Sequence, residues 1–162
     1  PRGQDAASDR FDWEIFVLAG DPDNTDPNQK GNIQGDVYGS PDGLWFDQRG
    51  ILWTQTDISS GALGKGAYSR ITNNMMFAAD PVSREFRRFL IGPNGCEVTG
   101  VDLTPDYKTM FVNIQHPGES PSERSNPDKP KAFSDWPDRK LFSRPRSATI
   151  AIWREDGKPV GS

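Results

Sequence analysis

Residue types that bind metals or move protons are concentrated in one stretch, CEVTGVDLTPDYKTMFVNIQH, over residues 96–116. It contains the only cysteine and the only histidine of the chain, Cys96 and His116. Thiolate, imidazole and carboxylate groups are common ligands of metal ions. The same residues in a β-hairpin with an exposed face would be ordinary polar surface, so the fold decides whether they meet. The polar side chains between the two ends are Glu97, Asp102, Asp106 and Asn113.

Composition restricts the fold that must position these groups. The chain has 162 residues, of which 33% are hydrophobic, with 16 glycines and 14 prolines. This balance favours short strands joined by many turns, or a part of a larger domain whose core is completed elsewhere. The net charge of -4 and the lack of an arginine-rich run argue against nucleic acid as a partner. A single cysteine cannot form an internal disulfide.

The sequence gives no sign of a membrane span or a leader. No run of about 18 apolar residues occurs, so we expect no helix across a membrane. The opening PRGQDAASDRFDW lacks the charged and then apolar pattern of a signal peptide. We expect the chain to be cut from a longer protein.

Apolar runs separated by turn residues predict strands and no amphipathic helix. WEIFVLAG (13–20) is predicted to be a strand, and hairpins are predicted over 43–57, 73–92, 97–115 and 147–161. In the first hairpin the turn DQRG ends in a glycine that can take positive φ, and in the second a proline favours a type I turn.

The hairpins repeat at an offset of about 57 residues, which is typical of propeller blades with four strands each. The sequence therefore predicts an all-β fragment of a β-propeller, with about two four-stranded antiparallel blades. Residues 13–20 would be the last strand of a preceding blade, 43–92 one blade, and 97–162 most of the next. The polar, proline-rich segment 118–145 is predicted to be an insertion in that second blade, acting as a flap or functional edge.

Two carboxylates precede the innermost strands of these blades. Asp42 lies in SPDGLWFD and Glu97 in GCEVTGVDL, and we expect equivalent positions of neighbouring blades to converge at the channel mouth. Converging carboxylates repel each other, and a hard cation relieves the repulsion. The alternative is that Asp42 forms an Asx-turn and Glu97 caps a strand.

Several long motifs resemble PhoX-type alkaline phosphatases. They include FDWEIFVLAGDP, GSPDGLWFDQRGILWTQTD, TNNMMFAADPVSREFRRFLIGPNGCEVTGVDLTPDYKTMFVNIQHPGE and RPRSATIAIWREDG, and the similarity covers about residues 11–162. The resemblance implies the C-terminal part of a six-bladed propeller that hydrolyses phosphate monoesters, with calcium and iron at the channel mouth, in a periplasmic or secreted enzyme. The iron-binding cysteine of that family lies in a part absent here, so we interpret Cys96 as a packing residue.

Four other polar residues are candidates, each with an alternative structural role. Asn73 could offer a metal-binding carbonyl or form a paired turn with Asn74. His116 could transfer protons or serve as a turn residue before Pro-Gly. Arg146, with Arg144, could bind a phosphate in bidentate fashion or pair with surface carboxylates. The sequence thus nominates Asp42, Glu97 and Asn73 for metal binding, and Arg146 and His116 for catalysis.

Two phosphate- or calcium-loop candidates fail on spacing. GALGKGAYS (61–69) lacks the spacing of a phosphate loop, and DPDNTDPNQKGN (21–32) lacks the glycine and glutamate of an EF-hand. The leading hypothesis is that the chain is part of a phosphomonoesterase. We expect the chain to be inactive by itself because it lacks its partner blades, and its uncovered sheet faces could make it associate with itself. The alternatives are a calcium-dependent propeller hydrolase such as a lactonase, or a non-catalytic binding propeller.

Overall fold

The computed structural model describes residues 6–120, 126–140 and 143–162. Their regular structure is almost entirely β, as the sequence predicts, with one 3-10 turn over Gly66–Tyr68. Among these residues no helix has the length and apolar character needed to cross a membrane. The predicted insertion 118–145 has no strand in its described part, and residues 121–125 and 141–142 of it lie outside the described residues.

Among the described residues, eight strands form two separate sheets, here called sheet A and sheet B. Sheet A has the order β1-β5-β4-β3-β2 and is antiparallel except for β1, which pairs with β5 in parallel. Sheet B has the order β6-β7-β8 and is antiparallel throughout. The strands are β1 (Gln34–Gly35), β2 (Pro41–Phe46), β3 (Leu52–Thr56), β4 (Met75–Ala79), β5 (Glu85–Ile91), β6 (Glu97–Leu103), β7 (Thr109–Gln115) and β8 (Ala148–Trp153).

The predicted hairpins over 43–57, 73–92 and 97–115 are confirmed as β2–β3, β4–β5 and β6–β7. Local turn chemistry explains this success. Gly50 ends the first turn with a φ of 83°, which costs glycine little. Asp47 Oδ1 accepts hydrogen bonds from the backbone N–H groups of Arg49 and Ile51 within that turn.

The structure differs from the expected strand plan in three details. The sheets have five and three strands instead of four each, because the short β1 adds to the outer edge of sheet A. The hairpin predicted over 147–161 keeps only β8, and the chain after it folds back so that Val160 N donates to the carbonyl of Tyr107. Residues 13–20 form no strand, since Leu18 exchanges its hydrogen bonds with the loop residue Asn32 instead of with a neighbouring strand.

Two apolar clusters lie on opposite faces of sheet A. The first packs the sheet against the loops before and after it, around Tyr38, whose ring contacts the rings of Phe77 and Phe86. The second fills the space between the two sheets, and burying each large apolar side chain there contributes about 1.5–3 kcal/mol. Its buried members are Trp53, Met76, Cys96, Val98, Met110, Val112, Ile114 and Val160.

Large apolar side chains remain exposed at the outer faces of this two-sheet stack. Leu44 and Phe46 on β2 are 66% and 59% exposed, and Trp153 on β8 is 66% exposed. Exposed apolar side chains of this size on sheet faces are unusual in a self-sufficient domain. The all-β architecture, with two stacked antiparallel sheets that do not close, fits a segment of a β-propeller.

Candidate functional site

Glu97 is a buried carboxylate at the start of β6. The residue is only 9% exposed, and its ladder partner on β7 is Gln115. Gln115 Nε2 donates a 2.8 Å hydrogen bond to Glu97 Oε2, while His116 Nε2 lies 3.5 Å from the same oxygen. Among the described residues none donates a hydrogen bond to Oε1. One oxygen of a nearly buried carboxylate is thus fixed, and the other is available to a ligand.

His116 extends this group beyond the end of β7. Its backbone takes a φ of 36°, and its N–H donates to Ser147 Oγ at 3.0 Å, which fixes the backbone that carries the ring. Within the described part of the chain, the buried Nδ1 has no hydrogen-bond partner, and Glu119 Oε2 lies 3.9 Å from it. Glu119 also accepts a 3.4 Å hydrogen bond from Ser60 Oγ. The imidazole therefore lies between two carboxylates, an arrangement suited to proton transfer.

Asn74, the neighbour of the metal-binding candidate Asn73, holds the backbone next to Glu97 in place. Its Oδ1 accepts from Ile58 N at 2.7 Å and from Thr56 Oγ1 at 3.1 Å. Its Nδ2 donates to the carbonyls of Ile58 and Cys96, both at 2.9 Å. The side chain is 2% exposed and ties sheet A to the residue directly before Glu97. Asn73 is half-buried and has no comparable contacts among the described residues.

Cys96 packs in the cluster between the sheets, as the sequence predicts, and forms no disulfide. Burial raises the pKa of its thiol to about 12, with a smaller contribution from the neighbouring Glu97. A protonated, buried thiol behaves as a small apolar side chain. The candidate residues between Cys96 and His116 therefore do not form a single site. Asp106 also lies apart from Glu97, because it accepts a hydrogen bond from Thr104 in the turn at the far end of the β6–β7 hairpin.

The expected equivalence of Asp42 and Glu97 is wrong. The β2–β3 and β6–β7 ladders each contain one register shift, next to Gly43 and Gly100. On either side of the shift, each paired residue of β2 matches the residue 57 positions later in β6. Asp42 therefore corresponds to Thr99, two residues beyond Glu97. Asp42 itself is exposed, with no hydrogen bond or ion pair to the described residues.

The two arginines near the end of the insertion have different roles. Arg146 forms a bidentate pair with Asp138, with Nε and Nη2 each 3.0 Å from a carboxylate oxygen. This pairing holds the pKa of Asp138 below its ordinary value and raises that of Arg146. Arg144 forms no ion pair with the described residues and lines a cavity that also borders His116. The structure thus supports the surface-pair alternative for Arg146, and of the two arginines only Arg144 lacks an ion-pair partner among the described residues.

The described residues do not form a metal site by themselves. No group of three or more histidine, cysteine, aspartate or glutamate side chains converges among them. Calcium requires six to eight oxygen ligands, and ferric iron also accepts carboxylates. Glu97, with one oxygen held and one open, fits as a single oxygen donor to such an ion. The remaining ligands would have to come from outside the described residues.

Comparisons with known proteins agree on one family. The family model described as alkaline phosphatase PhoX matches residues 1–118. No curated protein gives a match. A solved structure, Pseudomonas fluorescens PhoX in complex with vanadate, a transition state analogue, is 40% identical with a TM-score of 0.73; the match covers 90% of this chain and 24% of that chain. The present chain therefore spans about a quarter of that protein, and the extent of the family match shows that it belongs to the PhoX alkaline phosphatase family.

Proposed function

We propose that this chain is part of a metal-dependent alkaline phosphatase that hydrolyses phosphate monoesters. The observation that carries the proposal is the Glu97 carboxylate, which is buried, oriented by Gln115 and paired with His116 at one end of the inner strands. Burying a carboxylate is costly unless it serves a partner, so such a group is a functional-site candidate. Family membership supports the reaction class, and the vanadate bound to the related enzyme resembles a phosphoryl group.

Each side chain at this end of the sheets has a distinct proposed role. Glu97 offers Oε1 as an oxygen ligand, and Gln115 keeps the carboxylate from rotating. His116, between Glu97 and Glu119, moves a proton to or from the reacting groups. Arg146 was a catalytic candidate from sequence, but its pairing with Asp138 suits a role in holding the insertion.

Calcium and iron are the metals that the family resemblance implies. When bound, such hard cations neutralise charge on the phosphoryl oxygens and activate an oxygen nucleophile. Glu97 is the ligand best supported by geometry. Asp42 and the side-chain carbonyl of Asn73 remain proposed as further oxygen donors, facing parts of the propeller that this chain does not contain.

We further propose that residues 1–162 alone are inactive. The described residues supply one well-placed oxygen donor, whereas the proposed site requires several. The exposed Leu44, Phe46 and Trp153 would contact the missing blades, or a second copy of the chain when those blades are absent. We propose that the whole enzyme acts in the periplasm or outside the cell.

The test is an assay of the full-length protein with p-nitrophenyl phosphate, before and after chelation and metal replacement, alongside elemental analysis. We expect hydrolysis that chelation abolishes and metal restores. Lactone opening without phosphate release would instead favour a lactonase. Activity in neither assay, with no bound metal, would favour a binding propeller. Phosphatase activity of residues 1–162 alone would contradict the proposed inactivity.

A further inference from the structure

A cavity of about 520 Å³ lies directly beside His116. One wall is the chain that leaves β7, from His116 to Ser120, and the opposite wall is formed by the described part of the insertion. The volume is that of a small-molecule site. The proposed catalytic group and the insertion therefore share one binding space.

The insertion contributes two cations to this space that have no ion-pair partner among the described residues. Lys129 and Arg144 both line the cavity, and neither forms an ion pair with the described residues. Arg146, two residues beyond Arg144, is already neutralised by Asp138. The acidic lining residue Glu119 lies against His116 and Ser60, so it is engaged at the catalytic end. Two cations at the insertion end favour an anionic ligand.

The cavity also has an apolar wall and a firm base. Phe133 lines it and is 46% exposed, which leaves its ring available to a carbon skeleton. The insertion is fixed to the sheets because Trp136 packs into the cluster between them. Gly118 N and Glu119 N also donate to the carbonyls of Asn94 and Gly95, at 2.8 and 3.1 Å. The walls are thus positioned relative to His116.

We propose that this cavity receives the leaving group of the phosphate ester and selects leaving groups that carry a second anionic group. The inference rests on the proposed phosphatase function. The phosphoryl group would lie at the Glu97–His116 end, while Arg144 and Lys129 bind the second anion. The preferred substrates are then small organic phosphates that also bear a carboxylate or a further phosphate.

The experiment compares two substrates of the full-length enzyme that differ in that second group. 3-Phosphoglycerate carries a carboxylate where glycerol 3-phosphate carries a neutral hydroxymethyl group. In the double variant Lys129→Ala, Arg144→Ala we expect kcat/KM for 3-phosphoglycerate to fall roughly tenfold or more, the usual cost of losing a charge-assisted contact. For glycerol 3-phosphate we expect a change of less than about twofold, because its leaving group makes no such contact. Lys131→Ala is the matched control, since this lysine has the same charge, lies in the same segment and lines a neighbouring cavity instead.

Equal losses for both substrates, or no loss for either, would overturn the proposal. Hydrolysis of p-nitrophenyl phosphate but of neither substrate would also overturn it. If the wild-type enzyme hydrolyses none of the three esters, the proposed function fails, and calorimetric titration of the same proteins with 3-phosphoglycerate still tests the cavity. Wild-type binding that the double variant weakens and Lys131→Ala preserves would support an anion site. Absent or unchanged binding would refute it.

Discussion

Ser40 and Glu97 occupy matching ladder positions in two neighbouring sheets. Asp57 N donates a 3.1 Å hydrogen bond to the carbonyl of Ser40, so Ser40 lies opposite Asp57 as Glu97 lies opposite Gln115. The same fold position thus carries a small hydroxyl in one sheet and a buried carboxylate in the next. This difference marks Glu97 as a special residue of its sheet instead of a repeated feature of both.

Replacing Glu97 should therefore affect the enzyme more than replacing Asp42. In the full-length protein we expect Glu97→Gln to lower kcat by about a hundredfold or more and to reduce bound metal, because an amide oxygen is a weaker ligand than a carboxylate. Asp42→Asn should have a smaller effect, since Asp42 is exposed and lacks the oriented environment of Glu97. Phosphatase kinetics and elemental analysis on both variants check the order. A larger loss in Asp42→Asn would contradict our ranking of the two carboxylates.

Gln115 should act as a positioning residue for Glu97. Gln115→Leu removes the 2.8 Å hydrogen bond to Oε2 while keeping a similar side-chain volume. Loss of such an outer contact commonly costs about 10- to 100-fold in metal affinity or activity, and we expect a metal titration to show weaker binding with little change in the unfolding temperature. Thr149→Val is the matched control, because it removes the 2.6 Å contact to Asn113 on sheet B without touching Glu97. Equal effects of the two variants would mean that the contact to Glu97 has no special role.

Asn74 should be important for stability, and Asn73 should not. Asn74→Ala leaves the N–H of Ile58 and the carbonyl of Cys96 without their partner inside the protein. Each buried group left unsatisfied costs about 1–3 kcal/mol, so we expect a loss of about 3 kcal/mol or more. Asn73→Ala should change stability by less than about 0.5 kcal/mol, because the half-buried Asn73 side chain makes no hydrogen bond to the described residues. Denaturant unfolding of the full-length variants measures both, and similar losses would show that the Asn74 contacts are not specific.

Local chemistry made the hairpins predictable, whereas their partners in space were not. Turn residues such as Gly50 identified the chain reversals of the hairpins. The apolar run 13–20 has the pattern of a strand but forms none, because a strand needs a neighbouring strand and sequence periodicity does not show whether one is present. The glycines at 43 and 100 already align the two inner hairpins, and that alignment matches Asp42 with Thr99. The expected equivalence of Asp42 and Glu97 did not follow this glycine alignment and was therefore wrong.

Adjacent polar residues could not be told apart from sequence. Asn73 and Asn74 differ by one position in a loop without periodicity, so nothing in the sequence shows which side chain points inward. Arg144 and Arg146 alternate on one segment, and only the position of Asp138 decides which of them is neutralised. These choices depend on contacts between distant parts of the chain, and those contacts follow from the packed fold.

Asp47 should make stability depend on pH in the acid range. Burial disfavours its charged form, but hydrogen bonds from Arg49, Trp53 and Ile51, together with the charge of Arg49, outweigh burial and hold the pKa of Asp47 below its ordinary value. Because folding lowers this pKa, the unfolded chain binds the proton first as the pH falls. The stabilisation is therefore complete above the unfolded pKa of about 4 and is lost as the pH falls from there through the lowered folded value.

Thermal unfolding of full-length wild type and Asp47→Asn as a function of pH measures this contribution. We expect the variant to be less stable at neutral pH and the gap between the two proteins to shrink below about pH 4, because protonation removes from the wild type the charge that the variant already lacks. Asp128→Asn, at an exposed carboxylate of the insertion, should track the wild type throughout. A gap between wild type and Asp47→Asn that stays constant from about pH 3 to about pH 7 would show that the substitution acts through packing of the β2–β3 turn instead of through the charge of Asp47.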